Sequence, residues 1–278
     1  MTRDKLKKAY EDACEIELQA FKPGNVSVYS DGHDMTVEDF RISAKVSSGP
    51  ITNPEYSLGE KIYYAVKATR EAVNCNTNLG IILLCAPMLH AVQAKNERLS
   101  MRQALGDVLE NTTIEDATWV FNAISLASPG GLGESENQDV NEKPNVTLTE
   151  AMAIAAEKDR IALQYITNYK DVFDFSILRY NSALNRWGDP NWAAVSVYSG
   201  FLRQFPDSHI ERKYGIKYTG MVNAEMTRLD DELSRTQRPE LLETVLFRID
   251  REFKSKGVNP GTTADMTVAT ILLAHLDE

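Results

Sequence analysis

Cysteine is scarce. The three in 278 residues, Cys14, Cys75 and Cys85, show no metal-type pair spacing, so neither a disulfide framework nor a thiolate metal site is available to hold the fold. Cys14 and Cys85 sit in apolar helical pattern, which suits reduced, buried thiols of a cytosolic protein. Positive charge is also short, with 30 Lys and Arg against 40 Asp and Glu for a net charge of −10. That balance argues against a nucleic-acid partner, whose sequence-independent binding rests on neutralising phosphates, but leaves room for a local basic pocket. The apolar run at 79–89 is bounded by Asn78 and His90 and is too short to span a bilayer, so no membrane is expected. The N-terminus, Met1-Thr2-Arg3-Asp4-Lys5, leads into charged helix without an apolar signal region, and the expected location is the cytoplasm. Sustained strand alternation, internal repeats, linkers and low-complexity tracts are missing as well. The expectation is an all-α chain with a single domain over residues 1–278, able to bury roughly three quarters of the surface its unfolded form exposes.

What is present reads as helix after helix, with legible starts. Thr36 precedes an acidic first turn, and Ser57-Leu58-Gly59-Glu60, Ser100-Met101-Arg102-Gln103, Thr113-Ile114-Glu115-Asp116 and Thr147-Leu148-Thr149-Glu150 carry the cap-and-acceptor spacing that satisfies free backbone amides. The run at 79–89, apolar all round, is expected to be the central buried helix, tightened or kinked by Pro87. Residues 47–54 read as a loop between two helices, and Pro239 as the start of a helix that Gly257 ends.

Candidate functional residues gather where this pattern is broken. Residues 22–35 pack Lys22, Asp31, His33 and Asp34 between the turn dipeptides Pro23-Gly24 and Asp31-Gly32, a polar loop or a working one. In the helix before it, Glu17 falls near the centre of the stripe Leu6, Tyr10, Ala13, Cys14, Ala20, Phe21. An unpaired buried charge is costly, so Glu17 requires a cation, a metal or donors, as a structural ion pair or as part of a site. Asp159 reads the same way in a helix with the stripe Met152, Ala155, Ala156, Ala162, Leu163, Ile166. Thr77 and Asn78 precede the central helix, either as ordinary caps or as part of an anion site at its start. Arg212 and Lys213, in a short helix between Asp207 and Gly215, are local cations for a polyphosphate. Residues 128–144 form a long acidic loop whose Glu134, Glu136 and Asp139 either meet a magnesium ion or are merely solvated. Residues 259–265 read as a loop leading into a closing helix from Met266 to Leu276, and its small hydroxylated residues around Thr262, with Gly261 and Asp265, permit close approach to phosphate or simply cap that helix.

Several of these stretches, in this order, resemble the triphosphoribosyl-dephospho-CoA synthase family. They are Glu17 with Lys22-Pro23-Gly24-Asn25-Val26 and Gly32-His33-Asp34-Met35, then Asn76-Thr77-Asn78-Leu79-Gly80 and Ser128-Pro129-Gly130-Gly131-Leu132-Gly133. Asp159-Arg160-Ile161-Ala162-Leu163-Gln164-Tyr165, Asp207-Ser208-His209-Ile210-Glu211-Arg212-Lys213-Tyr214-Gly215 and Gly261-Thr262-Thr263-Ala264-Asp265 continue the match over nearly the whole chain. Characterised members have Gly-Ala-His-Lys-Asp-Met where this chain has the shorter Gly32-His33-Asp34-Met35, an aspartate where it has Ser27, and His-Lys where it has Asn78-Leu79.

The resemblance implies transfer of the triphosphoribosyl group of ATP to the 2′-hydroxyl of 3′-dephospho-CoA, with release of adenine and with Mg²⁺ as the triphosphate's counter-ion. It implies ATP and dephospho-CoA as small-molecule partners. On this reading Glu17 and Asp159 are the buried electrostatic pair and His33 or Asp34 the acid and base. Lys22, Gly24, Asn25, Thr77, Asn78, Arg212, Lys213 and Thr262 bind the nucleotide, and Asp34, Asp139 and Asp265 are metal candidates. Two other readings stay open: a related ribosyl transferase or hydrolase with a different acceptor, and a non-catalytic nucleotide- or CoA-binding helical protein.

Overall fold

The computed structural model describes residues 1–32, 35–95, 99–128 and 142–277. Among these the chain forms fourteen α-helices and no strand. The first six are α1 (Arg3–Gln19), α2 (Val37–Ile51), α3 (Leu58–Val73), α4 (Leu79–Ala94), α5 (Met101–Glu110) and α6 (Ile114–Ala127). Then follow α7 (Leu148–Ala155), α8 (Arg160–Ile166), α9 (Ile177–Trp187), α10 (Pro190–Gln204), α11 (Ser208–Tyr214), α12 (Thr219–Arg235), α13 (Glu243–Ser255) and α14 (Gly261–Leu276). The starts are where the sequence places them. α2, α3, α5, α6 and α7 each open on a reciprocal capping box, from Thr36, Ser57, Ser100, Thr113 and Thr147.

Two helices, not one, form the axis of the core. α4 is buried on nearly every face and packs on α2, α3, α5, α8 and α14. α14 is equally enclosed and packs on α1, α4, α8, α9, α10 and α11. Its polar content hid this role, because the buried Thr262, Thr263, Thr267 and Thr270 return their hydroxyls to protein acceptors or, at Thr262, accept one. Pro87 inside α4 has no N–H for the Leu83 carbonyl four residues earlier, and the buried Tyr165 hydroxyl donates to that carbonyl at 2.7 Å. The neighbouring Leu84 carbonyl accepts from Tyr169 at 2.9 Å.

Four local expectations are corrected. The stretch 47–51 is not loop but the last turns of α2, where Ser47 and Ser48 are buried and send their hydroxyls back to carbonyls of the preceding turn. Packing of small residues against α1 and α4 there overrides the turn signal of Gly49-Pro50. Asp159 does not lie within one long helix: α7 stops at Ala155, and the aspartate caps α8. Accordingly Ala155 and Ile166, expected on a buried stripe, are exposed. Pro239 begins a short 3₁₀ turn ahead of α13 with Leu241 on the outside. Thr262 and Asp265 belong to the first turns of α14 and not to a preceding loop.

Candidate active site

The loop after α1 is held from inside. Glu17 and Lys22 are both buried and their charges lie 3.0 Å apart, while the Lys22 ammonium also donates to the Val26 carbonyl at 2.7 Å. Burial pushes the Glu17 carboxyl up and the Lys22 ammonium down, each opposed by the partner's charge. Gly24 turns the chain at φ +85°, and a Cβ there would sit 2.9 Å from the Val258 carbonyl oxygen, so the position is open only to glycine. Distant helices complete the hold. Asp250 of α13 accepts from the Gly24 amide at 2.8 Å and the Ser30 hydroxyl at 2.9 Å. Lys254, one turn on, donates to the Asp31 carbonyl at 2.9 Å, and Tyr198 of α10 donates to the Pro23 carbonyl at 2.8 Å. Asn25 donates to Asn259 at 2.8 Å. His33 and Asp34, and likewise Asp139, lie outside the described residues.

The second half of the site forms where the starts of α4, α8, α11 and α14 meet. Asp159 caps α8, its Oδ1 accepting from Ile161 and Ala162 at 2.8 and 3.1 Å while Oδ2 pairs with Arg212 of α11. Asp207 joins α11 to α14. Its Oδ1 accepts from the His209 and Ile210 amides and its Oδ2 from the amide and hydroxyl of Thr263, at 2.8 and 2.7 Å. Ser208 accepts from the Arg160 amide at 3.2 Å and donates to Thr262 at 3.0 Å. Asp265 projects against the first turn of α4: a Cβ on Gly80 would fall 2.0 Å from its Oδ2. Its carboxyl is pushed well above the ordinary range by burial and then by the charges of Glu17, Asp207 and Asp159, with Arg212 opposing.

The approach to α4 is tied down by small hydroxyls. Thr77 donates to Ser43 at 2.6 Å, and Asn78 donates at 3.3 Å to Ser47, which also contacts Tyr10 of α1 at 3.0 Å. Neither Thr77 nor Asn78 caps α4 with its side chain; the Asn76 carboxamide oxygen accepts from Leu79 at 3.2 Å instead.

The residues singled out in the sequence are thus sorted. Asp159 pairs with Arg212, and the charges of Glu17, Asp159 and Arg212 all act on Asp265. Thr262 lies one turn before it, and Asn78 and Thr77 at the adjoining start of α4. Gly24 and Asn25 shape the loop. Lys22 is wholly enclosed and its ammonium is engaged by Glu17 and Val26. Lys213 is exposed and lies 5.2 Å over the Tyr214 ring. Among the described residues no group of three or more His, Cys, Asp and Glu is arranged to hold a metal ion. Asp250, Lys254 and Tyr198 were not anticipated. Asp250 and Lys254 repeat at one-turn spacing like any solvated helical pair, and nothing in that pattern points to a loop more than two hundred residues away.

A sequence model of the family described as ATP:dephospho-CoA triphosphoribosyl transferase matches residues 3–278. Among solved structures, one provisionally described as a triphosphoribosyl-dephospho-CoA synthase from Archaeoglobus fulgidus is similar, with 25% sequence identity and a TM-score of 0.64 over 84% of this chain and 96% of that one. No curated protein matches the chain significantly in sequence. No helix among the described residues is long and apolar enough to cross a membrane. With an all-helical fold, the enclosed Glu17–Lys22 pair and the carboxylates around Asp265 lying inside a match that spans almost its entire length, this chain belongs to the ATP:dephospho-CoA triphosphoribosyl transferase (CitG) family.

Proposed function

We propose that the chain, acting as one domain in the cytoplasm, transfers the triphosphoribosyl group of ATP to the 2′-hydroxyl of 3′-dephospho-CoA and releases adenine. The observation that carries this reading is that the charges of Glu17 at the end of α1 and of Asp159, paired with Arg212 at the start of α8, both act on Asp265 in the first turns of α14, in a member of this family. In the reaction the bond from the ribose anomeric carbon to adenine N9 breaks, and adenine leaves with its electron pair and takes up a proton. The acceptor hydroxyl oxygen forms the new bond and loses its proton. The anomeric carbon passes through an oxocarbenium-like state, as in glycoside hydrolysis, and negative side chains placed nearby favour that developing positive charge. Glu17 and Asp159 supply it. His33 or Asp34 serves as acid and base. Arg212 and Lys213 meet the triphosphate, and Thr77, Asn78 and Thr262 line its approach.

Lys22 serves this reaction from inside: it balances Glu17 and fixes the carbonyl of Val26 at the base of the loop.

A magnesium ion fits the donor set. Oxygen ligands predominate, and beyond burial the charges of Glu17, Asp207 and Asp159 act on Asp265, which a cation would offset. The described carboxylates do not complete a metal cage by themselves; Asp265 is the described residue that would hold the ion, together with the triphosphate. When bound, it would neutralise charge on the triphosphate.

The test is chromatography of adenine released from ATP, with and without 3′-dephospho-CoA. Release that depends on the acceptor is the expected result. Release that ignores the acceptor would make the chain a hydrolase, and no release under either condition would reject the reading in favour of a binding protein or a different acceptor.

A further inference from the structure

Lys61 of α3 is only 1% exposed, although it is a lysine. Its ammonium lies 2.9 Å from Nδ1 of His90 on α4, and among the described residues it has no carboxylate in an ion pair. Burial pushes Lys61 down to about 8, and burial together with the Lys61 charge pushes His90 down to about 4. With Lys61 charged and His90 neutral, the ammonium donates to Nδ1 and the ring proton sits on Nε2. A buried positive charge is thus relayed to a hydrogen-bond donor on the ring.

That ring lines a cavity of ≈330 Å³ between α3, α4, α5 and α6, whose walls include Leu58, Ala94, Leu99 and Val108. Neither carboxylate on the same lining forms an ion pair with Lys61, although the Asp116 charge acts on His90, and Lys95 adds a cation to the lining. Asp116 is occupied by two helix starts: Oδ1 accepts from the Gly59 amide of α3 at 2.8 Å, and Oδ2 accepts from the Thr113 amide and hydroxyl ahead of α6 at 3.0 and 2.8 Å. Asp107 is exposed. The cavity is also remote from the reaction site, since His90 lies ten residues along α4 from Gly80, about 15 Å at the rise of an α-helix.

We propose that this cavity is a second ligand-binding site, taking a small carboxylate whose oxygen accepts a hydrogen bond from His90 and whose apolar chain lies against Leu58, Leu99 and Val108. The ligand's charge answers that of Lys61 through the imidazole. The volume is at the low end of small-molecule pockets and suits a short-chain acid better than a nucleotide. The site is independent of the transfer reaction proposed above, and adenine release is not its readout.

The probe is sodium butyrate, titrated into the full chain while the ring resonances of His90 are followed by NMR, with n-butanol as the uncharged control. A saturable shift with butyrate and none with n-butanol over the same range is expected. Lys61→Met keeps the length of the buried side chain and removes its charge, and should weaken butyrate about tenfold or more. Ala94→Trp, at an exposed position on the rim, should abolish the shift without touching a buried group. Absence of a saturable shift in the unaltered chain, equal shifts with n-butanol, or undiminished affinity in Ala94→Trp would each overturn the proposal.

Discussion

The carboxylate of Glu17 and the ammonium of Lys22 lie 3.0 Å apart inside the protein, one at the end of α1 and the other at the base of the loop that follows it. Glu17 sits among the apolar residues of its helix and is compensated five residues later in its own chain. The same lysine anchors the loop through Val26, so fold and site share one contact.

Removing one member of a buried pair leaves the other charge without a partner, at a cost of roughly 3–5 kcal/mol. Lys22→Met is therefore expected to lower the melting temperature by roughly 10 °C. Glu17→Gln combined with Lys22→Met should recover part of that loss, because no buried charge is then left over. Thermal melts of the single and double variants check this; equal destabilisation by both would show that the loop contact to Val26, and not the charge, is what matters.

Asp159→Asn separates capping from electrostatics. Asparagine caps a helix about as well as aspartate, and the Arg212 pair is partly open to solvent, so the melting temperature should move by only a few degrees. Adenine release should fall about a hundredfold, as it does where one transition-state electrostatic contact is lost. A well-folded variant with full activity would remove Asp159 from the chemistry.

Asp265 has a folded-state proton affinity raised above its unfolded value, so the folded form holds the proton more tightly. For such a group stability is greatest below the unfolded pKa and declines as pH rises towards the folded pKa. Asp265→Asn should consequently melt higher than the unaltered chain at pH 8, and the gap should close below about pH 4, near the ordinary aspartate value. Its adenine release should be strongly reduced. Melting curves across pH test the sign, and a variant less stable at pH 8 would contradict it.

Gly80→Ala probes the contact between α4 and α14. In the first turn of α4 alanine gains at most about 1 kcal/mol over glycine, yet its Cβ would fall 2.0 Å from Asp265 Oδ2 and 2.8 Å from Ile161 Cδ1, so the carboxylate must move. The expected outcome is a melting temperature close to that of the unaltered chain with a marked loss of adenine release. Retained activity would mean that the position of Asp265 against α4 is unimportant for transfer.

Much of the architecture could be read from the chain alone because its signals are local. A serine or threonine followed three residues later by Asp, Glu or Gln satisfies the free amides of its own first turn, which is why five helix starts stand where the spacing put them. The all-round apolar run of α4 has no alternative to burial, and Glu17, on an apolar stripe, announced its need for a partner. Asp159 shows the limit. Helical periodicity carried through it, but an aspartate can also end that periodicity by capping the next helix, and which outcome holds depends on Arg212 and on packing against α11. Likewise α14 reads as an ordinary closing helix until α1, α4 and α10 enclose its threonines. The hold of Asp250 on Gly24 spans 226 residues, and the proton affinity of Asp265 arises from burial and then from carboxylates at the end of α1 and at the starts of α11 and α8. Composition and spacing carry the first turn of a helix, whereas the charge environment of a carboxylate depends on which distant helix ends share its space, and only the tertiary structure decides that.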